Sequence, residues 1–510
     1  MGSVGKKAYQ RKRGIILSYT QTVIHLIANL LYVPILLRTI GQNEYGVYQL
    51  AGSVVAYINI MESFLSAGVL RYYCKYKDMG DCVRMENTLA LSKRIYGVFS
   101  IIVIAAGALA AVAVQIFYSD ALDSKELRET EAIIIALSAN IVINLVNYVY
   151  HAAIKAEERF VFLNTASIMV EILQPISVIC VVMVIPQAFA VVVAQVTINL
   201  LVNIVKRYYC INILKVKIVY HYKDSELVRR IMKFSGWVLL VMIAEQIFLK
   251  ADQLILAKLF GTGTVAIYAV GAQIYSNYLP IGASIAGVYM PKVSELYNKE
   301  KDIKAISDIF IRTGRIAFMV ACLILTGFGI YGVPFIRMWA GQQYLPAYYV
   351  AMIVMTPFTI TVVQNVGVVV LQVENLYAFR GKVYLVIAVI NLISTWFLAK
   401  KMGVVGAALS TAILILIGNG LIMNWYYGKH ASLDISSFWK ELMSMVPAII
   451  LALLCGLGLR LLIPVNGWTS LFINIVIYTL IYVTLLFFMA CNGYERQLIA
   501  GRFKGVRNKR

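Results

Sequence analysis

An apolar run of roughly 20 residues recurs fourteen times along this chain, and that recurrence leaves little choice of fold. About 20 consecutive apolar residues cross a hydrocarbon core as one helix. Inside lipid, only helices and closed barrels satisfy their own backbone polar groups. The runs fall at 14–37, 47–70, 95–118, 131–154, 160–184, 187–205, 234–259, 265–290, 315–336, 346–371, 381–399, 403–426, 444–463 and 469–490. The chain therefore reads as an all-α integral membrane protein with about fourteen transmembrane helices. Composition agrees, with 61% hydrophobic and 14% charged residues and a mean hydropathy of +0.78. A soluble domain would carry about 25% charged residues. The hydrophilic segments between runs are short, which leaves no room for an extramembrane catalytic domain, so no enzyme is expected. The basic start GKKAYQRKR resembles a signal-peptide head. The apolar run behind it is too long and lacks a small-residue cleavage site, so it reads as a retained first helix.

The net charge of +21 raises the question of nucleic acid. Its distribution answers no. Most of the 46 Lys and Arg fall in alternate loops, on the side of the N-terminus, with a further cluster in the C-terminal tail. That asymmetry is the positive-inside pattern and predicts a plasma- or inner-membrane protein with both termini cytoplasmic. The acidic loop YSDALDSKELRETE (118–131) then lies outside. Basic loops beside a membrane also meet anionic lipid headgroups. None of the seven cysteines falls in an outer loop, so no disulfide is expected. No spacing of His, Cys, Asp and Glu suggests a metal site.

A shift of 220 residues lays LLRTIGQNEYGVYQLAG (36–52) over LAKLFGTGTVAIYAVGA (256–272), Gly41 on Gly261 and Tyr48 on Tyr268. At nearly the same shift KAEERF (155–160) meets QVENLYAF (372–379), Glu157 on Glu374, and KRYYC (206–210) meets NWYYG (424–428). Each repeat holds six spans and starts on the same side, so the two are parallel repeats related by a pseudo-two-fold axis along the membrane normal. The expected organisation is an N-lobe (1–205, helices 1–6), a basic cytoplasmic linker (206–233) acting as hinge, a C-lobe (234–428, helices 7–12), and helices 13–14 with a basic tail (429–510).

With the 6 + 6 + 2 count, the G-x6-Y loop after helix 1, GVLRYYCKY ending helix 2, and ADQLILAKLFG followed by AIYAVGAQIY, the chain resembles polysaccharide repeat-unit flippases. These belong to the multidrug/oligosaccharidyl-lipid/polysaccharide exporter superfamily. The resemblance implies movement of undecaprenyl-pyrophosphate-linked oligosaccharides from the cytoplasmic to the outer leaflet by alternating access. It implies a lipid-linked substrate, no cofactor, and other polysaccharide-assembly membrane proteins as candidate partners; H+, Na+ and the membrane potential are the candidate driving forces. Related peptidoglycan-precursor flippases hold the pyrophosphate with cavity arginines; here helix 1 has no cation between Arg13 and Arg38. The alternatives are a multidrug/cation antiporter of the same superfamily, against which the two extra helices count, and a membrane-embedded glycan polymerase or glycosyltransferase, against which the short outer loops count.

A flippase needs a polar cleft, and polar stripes on apolar helices mark where one could form. Helix 1 carries Ser18, Thr22, His25, Asn29 and Tyr32 at helical spacing. Helix 2 carries Asn59, Glu62, Ser63 and Ser66, and helix 8 carries Gln273, Asn277, Pro280 and Ser284. Helix 7 holds Glu245, Lys250 and Asp252 in one apolar segment. Glu245 and Asp252 lie about 20° apart around that helix, with Lys250 about 140° from Glu245. The two acids are the leading cavity candidates, and Lys250 is expected to find Glu62 or Glu171 or to snorkel outward. Arg71, ending helix 2, is a candidate headgroup contact. Ser, Thr and Asn in spans also bridge helices with no further role, and that reading stands beside each of them.

Overall fold

A computed structural model describes residues 3–297, 302–374, 376–493, 495 and 496. Those residues form sixteen α-helices and no strand. In order these are α1 (Ser3–Asp78), α2 (Cys82–Tyr118), α3 (Ser124–Ala156), α4 (Phe160–Val182), α5 (Ala188–Tyr208), α6 (Ser225–Phe260), α7 (Thr262–Tyr278) and α8 (Pro280–Glu295). They continue as α9 (Ile303–Trp339), α10 (Pro346–Val363), α11 (Asn365–Val373), α12 (Tyr377–Ile415), α13 (Met423–His430), α14 (Ile435–Met443), α15 (Val446–Leu462) and α16 (Trp468–Met489). All fourteen apolar runs fall in helix. Among the described residues ten stretches are long and apolar enough to cross a membrane, and two of them, Ile16–Glu62 (47 residues) and Tyr377–His430 (54 residues), are long enough to cross twice.

The long elements break where the sequence permits it. Inside α1, Gly41 adopts φ 85°, ψ 177°, and inside α12, Gly403 adopts φ 58°, ψ −136°. Both conformations are open to glycine and costly for any residue with a Cβ. Gly261, the residue laid over Gly41 by the 220-residue shift, adopts φ 77°, ψ −176°. The repeat therefore extends to an unusual backbone conformation at matching positions. Side chains repeat as well. Phe162 stacks on Tyr209 with ring centres 3.7 Å apart at 9°, and Phe379 stacks on Tyr426 at 3.8 Å and 8°. Asp81 caps α2 through the Arg84 N–H, and Asp302 caps α9 through the Ala305 N–H, each at 2.9 Å. Such caps satisfy backbone donors that the first helical turn leaves free.

The chain divides into two compact units: residues 1–269 with 384–403, and residues 270–383 with 404–510. The first unit packs α1 against α3, α4 and α6 around a core that includes the fully buried Tyr73, Tyr96, Leu145 and Val149. The second is built on α9, against which α10, α14, α15 and α16 pack. Its most elaborate polar feature is Arg315, 3% exposed at the side chain. The guanidinium donates Nε to Glu495 Oε1 at 2.7 Å and Nη2 to Glu495 Oε2 at 2.9 Å. It also donates Nη1 to Glu441 Oε2 and Nη2 to the Ala490 carbonyl, each at 2.8 Å.

The segment joining α5 to α6 is more ordered than a bare hinge. Tyr208 ends α5, a single π-helical turn covers Tyr209–Ile213, and the chain then runs outside regular secondary structure to the Asp224 cap of α6. The fully buried Asn87 side chain holds this strap like a strand partner. It donates to the Tyr222 carbonyl (3.0 Å) and accepts the His221 N–H (3.0 Å) and the Tyr222 N–H (3.3 Å).

Candidate functional site

Among the described residues of the first unit, three clusters of polar groups inside apolar helices involve the candidate residues. The deepest surrounds Asp252 on α6, which is 1% exposed. One carboxylate oxygen accepts the Tyr268 hydroxyl of α7. The other accepts Thr395 Oγ1 at 3.0 Å and Asn391 Nδ2 at 3.5 Å, both from α12. Thr395 also donates to Asn391 Oδ1 at 3.3 Å. Asn391 and Thr395 lie four residues apart and so share one helix face. A carboxylate this deep needs such donors, because a buried charge without partners is strongly disfavoured. Next to it Gln253, also 1% exposed, accepts a bond from Ser53 of α1, which ties α6 to α1. The oxygens of Asp252, Asn391, Thr395 and Tyr268 are hard donors of the kind that hold a proton or a small hard cation.

Glu245 lies seven residues back, about 10 Å along the axis, and is partly exposed. The two acids therefore differ in environment: Asp252 is sealed among donors and Glu245 is open. Lys250 is partly exposed between them. Among the described residues no carboxylate lies within ion-pair distance of it. Both expected partners are engaged elsewhere: Glu171 with His25 and Glu62 with Asn144.

The second cluster joins α1 to α4. His25 Nδ1 lies 2.8 Å from Glu171 Oε2, and Asn29 Nδ2 lies 2.9 Å from His25 Nε2. An Asn amide donating to Nε2 leaves the ring proton on Nδ1, facing the carboxylate. The side chains are 49% and 25% exposed, so this cluster is accessible where Asp252 is not.

The third was missed in the sequence apart from Glu62. Asn144 of α3 donates to Glu62 Oε2 at 3.2 Å. Asn199 of α5 donates to Asn140 (2.6 Å) and Asn144 (2.8 Å), and Asn203 donates to Asn144 (3.1 Å). The second unit holds bonds of the same kind in other pairings: Asn419 donates to Thr361 at 2.8 Å and Gln364 to Asn424 at 2.7 Å. Paired amides satisfy one another between helices in lipid, which accounts for the ladder without any ligand.

The other candidates are less connected. In the second unit Asn277 folds back on its own helix to the Gln273 carbonyl at 2.9 Å, with both residues partly exposed. Arg71 is exposed on α1. The side chains of Ser63 and Ser66 lie outside the described residues.

The ends of α6 and α7 are clasped to neighbours at the Gly41/Gly261 level, still within the first unit. Gln42 Nε2 donates to the Gly263 carbonyl at 2.9 Å, Thr262 Oγ1 to Glu126 at 2.7 Å, and the Tyr118 hydroxyl to the Leu254 carbonyl at 3.0 Å. Gly46 lies so close to Thr262 that a Cβ there would stand 2.0 Å from the Thr262 carbonyl oxygen.

Residues 35–349 match the model of a family described as polysaccharide biosynthesis protein. A putative O-antigen transporter of Shigella flexneri is 20% identical over 425 residues, covering 80% of this chain and 96% of that protein. An uncharacterized membrane protein of Bacillus subtilis, EpsK, is 19% identical over 278 residues, 54% of this chain and 55% of that protein. Among solved structures, the lipid II flippase MurJ in an inward closed conformation superposes with a TM-score of 0.69 at 14% identity, covering 95% of this chain and 99% of MurJ. An inward-facing multidrug resistance MATE transporter gives 0.66 at 11% identity, covering 82% of this chain and 96% of the transporter. The fold is thus that of these transporters, all-helical and multi-pass, and the chain belongs to the polysaccharide biosynthesis protein family.

Proposed function

We propose that this protein is a flippase, moving undecaprenyl-pyrophosphate-linked oligosaccharide repeat units from the cytoplasmic to the outer leaflet for surface polysaccharide biosynthesis. The observation that carries the reading is the match to a polysaccharide biosynthesis family, with an O-antigen transporter aligned over 96% of its own length. Translocation by alternating access accounts for features that a static scaffold would not need. The polar clusters at Asp252 and His25 sit on helices 7 and 1, the leading helices of the two repeats. With both termini cytoplasmic, the clasp at Gln42, Gly46, Thr262 and Glu126 lies on the outer side and is closed. Release of a sugar headgroup outward requires that clasp to part, and return to this state requires it to re-form.

In this reading Asp252 is the coupling group, exchanging a proton or small cation as its Tyr268, Asn391 and Thr395 partners move. Glu245 is its accessible counterpart. Lys250 contributes positive charge at mid-depth. The test replaces Glu245 and Asp252 with Gln and Asn. Tyr and Thr hydroxyls accept as readily as they donate, so Asp252→Asn keeps the local bonding while losing the charge. Surface glycan export should fall while protein level and detergent stability stay near the parent's. Normal export in both variants removes these acids from the mechanism.

A further inference from the structure

The strap between α5 and α6, expected from the sequence to act as a hinge, is fastened on its inner side. Its start folds on itself: the Leu214 N–H donates to the Tyr209 carbonyl at 3.0 Å and the Val216 N–H to the Cys210 carbonyl at 3.2 Å. Its end is held to α2, where Asn87 binds the backbone of His221 and Tyr222 and Glu86 meets the His221 ring at 2.9 Å. Between these points the side chains alternate. Leu214, Val216 and Ile218 turn inward and pack on the core of the first unit. Ile213, Lys215, Lys217 and Val219 are exposed on the outward side.

That outward side combines apolar surface with positive charge. Ile213 is 57% exposed and Val219 43%, and Ile211 on the turn before them is exposed as well. Lys215, Lys217 and Lys223 stand exposed among them. Among the described residues none of these three lysines is in an ion pair, and from Lys206 to Lys223 the sequence holds no acid. The position of the segment says what covers it. The sixth apolar run ends at 205, so Ile211 and Ile213 lie within eight residues of the hydrocarbon edge. At that level the acyl boundary takes apolar side chains, while lysine stems extend their ammonium groups to the phosphates. A nucleic acid would match the charge and leave the isoleucines uncovered. A soluble protein would have to displace the headgroups already at this level.

We propose that the strap docks on an anionic lipid leaflet. Ile211, Ile213 and Val219 enter the boundary between headgroups and acyl chains, and Lys215, Lys217 and Lys223 bind the phosphates of acidic phospholipids. The segment between the two repeats is then held on both sides, by α2 within and by the leaflet without, and serves as a belt rather than a hinge. Three lysines beside an anionic surface favour the docked strap by on the order of a hundredfold, at about fivefold each, and salt screens that preference. The inference does not rest on the transport reading, since it concerns one surface of the first unit and is measured without any transport.

The experiment uses the full chain with a fluorescent non-canonical amino acid in place of Ile213. It is reconstituted into vesicles of phosphatidylcholine alone or of phosphatidylcholine mixed with phosphatidylglycerol. Lipids brominated high on the acyl chain quench the fluorophore when it lies at the headgroup boundary. Quenching should be strong in the mixed vesicles, severalfold weaker in phosphatidylcholine alone, and reduced by salt. In the mixed vesicles K215Q/K217Q/K223Q should be quenched only as weakly as the parent is in phosphatidylcholine. The three side chains are exposed and outside every described ion pair, so the variant should keep the parent's melting temperature. K400Q/K401Q/K440Q, which removes the same charge at exposed lysines elsewhere, should behave as the parent. Weak quenching in both compositions overturns the proposal, because the strap then faces water or another partner. Strong quenching in both, unchanged in K215Q/K217Q/K223Q, also overturns it, because insertion then needs no anionic lipid. An equal loss in K400Q/K401Q/K440Q overturns it as well, by tracing the effect to net charge rather than to the strap.

Discussion

Replacing Arg315 with Met should loosen the C-terminal helices from α9, and the size of the effect follows from its bonding. The guanidinium is 3% exposed and engages Glu495 bidentately, with Glu441 and the Ala490 carbonyl as further acceptors. Glu495 is 5% exposed and Glu441 50%, so losing the arginine strands one buried carboxylate rather than two. Leaving a buried charge uncompensated costs about 3–5 kcal/mol. At 1.4 kcal/mol per tenfold, the segment after α16 should open roughly 10²–10³·⁵ times more often. The assay is protease release of a C-terminal tag from membranes, under conditions where cleavage reports the open population. R315M should be cut far faster than the parent. R315M/E495M, which removes the stranded charge, should recover most of the protection, because apolar replacements of buried ion pairs are often neutral or stabilising. A double variant as labile as R315M would refute the charge argument and leave lost packing as the cause.

Two further outcomes are expected. Burial pushes the carboxyl of Glu374 up to about 7 from its ordinary 4.5, whereas its repeat counterpart Glu157 is paired with Lys77 at 2.8 Å. A raised acid pKa means the folded state keeps a proton that the unfolded chain has lost, so stability from this group declines between about pH 4.5 and 7. Glu374→Gln should therefore raise the melting temperature at pH 8 and leave it unchanged near pH 4; a gain that is equal at both pH values contradicts the assignment. At the clasp, Gly46→Ala puts a Cβ 2.0 Å from the Thr262 carbonyl oxygen, which forces α1 and α7 apart there. Labelling of a cysteine at Gln42 by an impermeant thiol reagent should rise and export should fall, and unchanged labelling would mean that the contact is not a gate.

The spans were legible because lipid imposes a length and a composition on every helix, and the repeat was legible because the rule that forces glycine at Gly41 forces it again at Gly261. Partners were not. Lys250 was expected to meet Glu62 or Glu171 or to snorkel outward, but those acids are held by Asn144, which drew no notice, and by His25, which was read as a cavity residue on the polar stripe of helix 1. Asp252 was picked out as a costly charge, yet Thr395 and Asn391, which hold it, stand more than 130 residues away in a span that drew no notice. Arg315 drew no notice at the edge of the 315–336 run, and α14, nine residues long, is too short to show as a span. Periodicity reports which face is polar. Which polar face meets which depends on tertiary packing, which periodicity does not report.

Movement of a lipid-linked oligosaccharide across the bilayer is the most direct measure of flippase activity. Purified protein reconstituted into vesicles with a fluorescent polyprenyl-diphosphate oligosaccharide should bring inner-leaflet substrate within reach of a membrane-impermeant quencher. The rate should exceed that of protein-free vesicles and fall in the Asp252→Asn protein. Substrate that stays protected at the protein-free rate, beside uptake of cationic dyes by the same vesicles, would contradict the flippase reading and favour the antiporter.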